Sequence, residues 1–273
     1  MWTDELFHVK KPIIALLHLR ALPGDPLYEK DATMGEVIEK AARELQALQE
    51  GGVDGILIAN EISLPYEKKV SYVTVAAMGR IVGELKKEIK VPFGVNIVSN
   101  PLATIDLAAA VEADFVRSTF TGAYIGENGI TDTNIPEVLR RKKALGLDKM
   151  KLLYKVNPES DVYLAERSLE KITKSMIFHC FPDGLCVSGS SAGQETDSSL
   201  VRRVKAVSGF VPVFCNTGCT KENVVEKLSE CDGACVGTAF KKDGKFENYV
   251  EKQRVMEFMD VVKAYRCTMK EGV

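Results

Sequence analysis

The chain is expected to fold as a single (βα)8 TIM barrel, an α/β architecture, with residues 1–273 forming one domain. Eight short β-rich apolar runs alternate with amphipathic stretches along the chain. The residue that enters each run alternates too. Aspartate enters the even-numbered runs, at Asp54, Asp114, Asp183 and Asp232, while proline enters three odd ones, at Pro12, Pro92 and Pro212. Equivalent helix-to-strand turns of a fourfold (βα)2 repeat face equivalent geometry and would leave such a record. An open doubly wound sheet has no reason to stop at eight units or to repeat its entry residue. The four aspartates are therefore expected as turn residues on the face opposite any pocket.

The runs, in order, are "IIALLHL" (13–19), "GILIANE" (55–61), "PFGVNIV" (92–98), "FVRSTF" (115–120), "MKLLYKV" (150–156), "GLCVSG" (184–189), "VPVFCNTG" (211–218) and "GACVGTAF" (233–240). Helices are predicted over 33–52, 71–89, 134–146, 161–176, 197–207, 221–230 and 248–266. The first has a capping box in Thr33 and Glu36 and a stop at Gly51. In the last, Val255, Phe258, Met259 and Val262 recur at helical spacing, a stripe that packs on the barrel more naturally than on a partner. No linker rich in Gly, Ser or Pro divides the chain.

Composition narrows the function classes. Lys+Arg 36 against Asp+Glu 38 gives a net charge of -2, so no global positive field draws in nucleic acid or an anionic membrane. No apolar segment is long enough for membrane insertion, and the acidic start "MWTDELFHVKK" fits neither a signal nor a transit peptide. The seven cysteines are an odd count scattered through apolar runs, with no C-x-x-C pair. Free thiols in a reducing, cytoplasmic setting are expected, with no structural disulfide and no zinc site.

In such a barrel the reactive groups come from the carboxyl ends of the strands. His18, Asn60, Glu61, Asn96, Arg117, Lys155 and Ser188 stand there. His18 reads equally well as a satisfied core histidine or as a catalytic one. Arg117 and Lys155 favour a pocket role, because a charge in a strand buried on both faces is costly unless paired or needed. A structural ion pair with Glu61 is the bland alternative, and strand parity alone leaves the choice open. Three long strand-exit loops, "RALPGDPLYEKDA", "ISLPYEKKV" and "TGAYIGENGITDTNIP", could wall or lid a pocket.

Strands seven and eight end in "NTGC" and "GTAF". Gly218 and Gly237 would let backbone N–H groups approach a phosphate, Thr217 and Thr238 add hydroxyls, and Asn216 stands beside them. A helix starting near Thr238 or Ala239 would add its positive end. Either loop alone could be an ordinary tight turn; the pair, at strands seven and eight, is the more specific signal.

The motifs "HLRALPGDP" (18–26), "GGVDGILIANEISLPY" (51–66), "PFGVNIV" (92–98), "FTGAY" (120–124), "DTN" (132–134), "LCVSG" with "AGQETD" (185–197), "NTG" (216–218) and "FKKDG" (240–244) resemble the BtpA/SgcQ family, and its SgcQ branch most. The resemblance implies a (βα)8 barrel of the ribulose-phosphate-binding type. SgcQ-type members look like parts of carbohydrate utilisation systems, whereas the BtpA branch takes its name from photosystem biogenesis. "ANE" (59–61) and "VSN" (98–100) depart from the BtpA-branch pattern, which counts against a photosystem role.

Two classes of function follow. The first is an enzyme on a small phosphorylated sugar or related phosphoester, of the lyase/aldolase or isomerase type, with Glu61, Arg117, Lys155 and His18 as catalytic candidates. Asn60, Asn96, Ser188 and Asn216 would bind substrate, and Thr217, Gly218, Gly237 and Thr238 the phosphate. Lys155 could form a Schiff base, or could polarise a carbonyl with Arg117 while Glu61 moves a proton. A sugar-phosphate or nucleotide hydrolase is a further version. Carboxylates are sparse at the strand ends, so a divalent metal is allowed but not demanded. The second class is a non-catalytic assembly or regulatory protein; a homo-oligomer fits either.

Overall fold

Eight parallel strands close on themselves in the computed structural model, which describes residues 1–191 and 193–269. Ala192, the first residue of the "AGQETD" motif, and residues 270–273 of the expected domain lie outside the described residues. In chain order the elements are α1 (Trp2–Phe7), β1 (Ile13–His18), α2 (Met34–Glu50), β2 (Gly55–Ala59), α3 (Tyr72–Leu85), β3 (Phe93–Asn96), α4 (Pro101–Val111), β4 (Phe115–Ser118), β5 (Ala123–Gly126), β6 (Gly129–Asp132), α5 (Ile135–Ala144), β7 (Lys151–Lys155), β8 (Val162–Tyr163), α6 (Leu169–Cys180), β9 (Gly184–Val187), α7 (Ser198–Lys205), β10 (Val213–Cys215), α8 (Val224–Glu230), β11 (Gly233–Val236) and α9 (Lys252–Thr268). The barrel runs β1-β2-β3-β4-β7-β9-β10-β11 and returns to β1, so the eight predicted strands are the eight staves of the closed (βα)8 fold.

The aspartate repeat has a single structural cause. The carboxylates of Asp54, Asp114, Asp183 and Asp232 accept the backbone N–H of Ile13, Phe93, Leu152 and Val213 at 2.8, 3.0, 2.9 and 2.8 Å. Each acceptor stands just before an even stave, and each donor lies at the start of the odd stave beside it. In return the four aspartate N–H groups donate to the carbonyls of the same four residues, at 3.1, 2.9, 3.0 and 2.7 Å. Four strand-start amides at the barrel rim thereby gain partners they would otherwise lack. The fifth stave lacks the entering proline yet makes the same bond, so aspartate rather than proline carries the repeat.

The amino-terminal helix closes this end. Trp2 and Phe7 pack against Phe214 and Phe115 at ring separations of 6.5 and 5.8 Å. Gly55 leaves room for this plug, since a Cβ there would sit 2.6 Å from the Phe7 ring.

Three stretches differ from the sequence expectation. Helix α4 was not anticipated, because "PLATIDLAAAV" is apolar nearly all round and shows no amphipathic stripe. The stretch predicted as helix from Asp161 instead opens with β8, which pairs with β5, and α6 begins only at Leu169, where the Ser168 hydroxyl accepts the Lys171 N–H at 3.3 Å. The long loop after the fourth stave folds into the β5–β6 hairpin, so β6, β5 and β8 form a small antiparallel sheet. No helix of the described residues is long and apolar enough to cross a membrane. All seven cysteines are free thiols.

Candidate functional site

Ile14, Leu16, Leu57, Phe115, Leu153, Cys186, Phe214 and Cys235 form a core cluster of their own, separate from the layer under the helices. Side chains two residues further along a strand share its face. That step leads from Leu16 to His18, from Phe115 to Arg117, from Leu153 to Lys155, from Cys186 to Ser188, from Phe214 to Asn216 and from Cys235 to Gly237. The inward row of apolar residues thus gives way, at the carboxyl ends of the staves, to a polar layer.

Asn216 is the hub of that layer. Arg117, 2% exposed, donates from Nη1 to Asn216 Oδ1 at 2.8 Å and from Nη2 to Glu61 Oε1 at 3.2 Å. Asn216 Nδ2 in turn donates to Glu159 Oε1 at 3.0 Å and to Ser188 Oγ at 2.9 Å. Lys155 Nζ lies 3.6 Å from Glu159 Oε2, and the Tyr66 hydroxyl donates to Glu61 Oε2 at 3.1 Å. A continuous chain of contacts therefore runs from Tyr66 through Glu61, Arg117, Asn216 and Glu159 to Lys155. Burial, and then the Glu61 carboxylate, push the Tyr66 phenol well above its usual range, so it is a donor to that carboxylate.

His18 stands apart from the chain of contacts. It is 4% exposed, and both of its ring nitrogens are buried without a partner among the described residues. Burial, and then the charges of Lys241, Arg117 and Lys40, hold its pKa well below 6.5, so the imidazole is neutral. A neutral imidazole keeps one donor and one acceptor for a ligand.

A cavity of about 280 Å³ is lined by His18, Glu61, Arg117, Glu159 and Asn216 together with the loops of Gly218, Gly237 and Thr238, with Gly237 close against the His18 ring. Lys155, Asn60, Asn96 and Ser188 do not line it. Asn60 Oδ1 accepts the Val98 N–H at 2.8 Å, tying the exits of β2 and β3 together. Asn96 is buried with its Oδ1 unpartnered among the described residues, and Ser188 supports Asn216 from below. None of the three long strand-exit loops lines this cavity; Arg20, Tyr28 and Glu29 of the first and Ile62 of the second line a neighbouring one.

The two glycine loops differ from each other. Gly218 has φ +70, and a Cβ there would lie 2.2 Å from the Gln194 carbonyl oxygen, so the exits of β9 and β10 are pressed together. The Thr217 hydroxyl accepts the Gly189 N–H at 2.7 Å, which commits it to that loop junction. After Gly237 the expected helix is a 3-10 turn over Thr238–Phe240, too short for a helix dipole of any weight. A residue that sequence reasoning passed over lines the same cavity. Arg254, at the start of α9, donates from Nε to the Ala239 carbonyl at 3.0 Å, and its Nη groups have no partner among the described residues. Glu159, four residues after Lys155, was missed as well; the periodicity "KVNPESD" offered only a loop. Among the described residues no group of three or more His, Cys, Asp or Glu is placed to hold a metal ion.

The model of the BtpA family matches residues 9–264. The chain belongs to the BtpA family. Within it, the chain is 47% identical to the sgc region protein SgcQ of Escherichia coli over 97% of this chain and 99% of that one. It is 27% identical to the photosystem I biogenesis protein BtpA of a Synechocystis strain, over 94% of this chain and 90% of that one. This BtpA-family chain is thus much more similar to SgcQ than to the photosystem protein. Its fold matches (S)-3-O-geranylgeranylglyceryl phosphate synthase of Thermoplasma acidophilum, with a TM-score of 0.61 and 15% identity over 96% of this chain and 97% of that one. Phosphoribosyl anthranilate isomerase of Thermococcus kodakaraensis gives 0.56 at 14% identity over 93% of this chain and 99% of that one. Both likenesses are of fold.

Proposed function

We propose that this BtpA-family barrel binds a small phosphorylated sugar or related phosphoester and acts on it by proton transfer, as an isomerase or an aldolase-type lyase in carbohydrate metabolism. The observation that carries the reading is the joining, in one cavity, of the Gly218 and Gly237 loops to the buried Glu61–Arg117–Asn216 contacts. Phosphate held at the loops anchors the ligand remotely from the reacting carbon. Glu61 takes the proton next to a carbonyl, Arg117 holds the negative charge that develops on the oxygen, and neutral His18 offers a hydrogen bond there. Lys155 is paired to Glu159 and lies off the cavity, which favours a role as a charge over a Schiff base. Residues 1–273 act as one domain in the cytoplasm, alone or as a homo-oligomer, with a site drawn from one chain.

The test is to incubate the protein with a panel of phosphosugars in D2O and follow carbon-bound hydrogen by NMR. Exchange or turnover is expected with at least one aldose or ketose phosphate, and Glu61→Gln should abolish it. A borohydride-trapped adduct on Lys155 would replace proton transfer with the Schiff-base route. Should no phosphosugar bind at all, the non-catalytic assembly reading takes its place.

A further inference from the structure

A second cavity, of about 220 Å³, opens beside the first, and His18 and Phe246 line both. Their rings, with centroids 5.0 Å apart, form the partition. On the far side stand Arg20, Lys40 and Lys241. Lys40 is 8% and Lys241 1% exposed, and the buried carboxylate between them is Glu44, at 1%. Lys40 Nζ donates to Glu44 Oε1 at 2.8 Å, whereas Lys241 Nζ stays 3.9 Å from that oxygen and donates instead to the Asn248 carbonyl at 3.0 Å. Two buried ammonium groups therefore share one carboxylate. The other carboxylates of this cavity, Glu29, Glu36 and Glu247, are exposed at its rim, and Glu36 is engaged in the capping box of α2. A buried surplus of positive charge is costly unless something anionic completes it.

We propose that the side cavity is a second anion site, formed by Arg20, Lys40 and Lys241, and that the ligand is doubly anionic. It is a phosphorylated sugar whose other end carries a second phosphate or a carboxylate. The inference rests on the phosphate reading of the first cavity and specifies its substrate class. Phe246 lies in the irregular segment 245–249 and is only half-buried, so its ring can turn aside to let one ligand span both cavities. The unpartnered nitrogens of His18 would then face the middle of that ligand.

Tungstate soaked into crystals of the full chain counts the sites by anomalous scattering. Two peaks are expected, one against Gly218 and Gly237 and one among Arg20, Lys40 and Lys241. In solution, a hexose bisphosphate or a phosphoaldonate should bind about tenfold or more tightly than the matched hexose monophosphate. Comparing the bisphosphate with the phosphoaldonate tells which second anion is preferred. Arg20→Gln, which changes a partly exposed residue, should erase most of that advantage, whereas Arg254→Gln should weaken all three ligands alike. One tungstate peak at the glycine loops, with equal affinity for mono- and dianionic sugars, overturns the second site and leaves the phosphate reading standing. Absence of both peaks and of all binding overturns both.

Discussion

Arg117 on β4 and Asn216 just beyond β10 meet across the barrel at 2.8 Å, although they lie 99 positions apart in sequence. The bond orients the guanidinium fork so that its other arm reaches Glu61. Arg117→Lys keeps the charge but loses the fork, and a lysine cannot bond both partners in the same geometry. Turnover on a confirmed substrate should fall by about a hundredfold, the size of effect that follows loss of one preorganised donor. Denaturant unfolding should register a loss of about 1–3 kcal/mol, because Asn216 and Glu61 are left short of a donor.

The glycine loops of the cavity make a separate prediction. A Cβ at Gly237 would stand 3.0 Å from the His18 ring, so Gly237→Val pushes a side chain into the space between loop and imidazole. Phosphoester affinity, measured by calorimetry, should fall by about tenfold or more, a larger factor than for an unphosphorylated sugar. Arg254→Gln should weaken phosphoester binding by a similar factor without lowering the melting temperature. Equal loss for phosphorylated and unphosphorylated ligands would remove the phosphate assignment.

His18 makes stability depend on pH in a defined direction. Its folded pKa lies well below the ordinary 6.5, because burial and three neighbouring cations oppose its protonation. Between the two values the unfolded chain binds the extra proton, so stability rises with pH and is lost as pH falls below 6.5. The slope from this group is at most about 1.4 kcal/mol per pH unit. His18→Gln should flatten the stability profile below pH 6.5 relative to wild type, read from urea midpoints.

Asp114 isolates the contribution of the fourfold repeat, since among the described residues it has no salt-bridge partner, whereas Asp54, Asp183 and Asp232 pair with Arg266, Lys151 and Lys205. Asp114→Ala removes the acceptor of the Phe93 N–H and should cost about 1–2 kcal/mol. Asp114→Asn retains an acceptor oxygen and should recover most of that. Ligand affinity should be unmoved in both, because this rim is the one opposite the cavity.

What the sequence determined by itself is the barrel and its polarity. The alternating entry residues report a bond made at four equivalent places, and a strand-start amide needs its acceptor wherever the repeat occurs. The strand ends likewise showed His18, Glu61, Arg117 and Asn216 as polar residues closing apolar runs. Helix α4 escaped because a helix packed on most of its circumference carries no stripe to read. The β5–β6 hairpin turns at Glu127–Asn128, with Gly129 at positive φ just after it, inside a stretch read as loop. Only the tertiary structure decided which polar residues share a space. Closure of the barrel brings Arg117, Glu61, Glu159 and Asn216 together, diverts Asn60 and Thr217 into holding strand exits, and swings Arg254 from the last helix toward the glycine loops. These contacts join residues far apart in the chain, and a local pattern records only the neighbours it must satisfy.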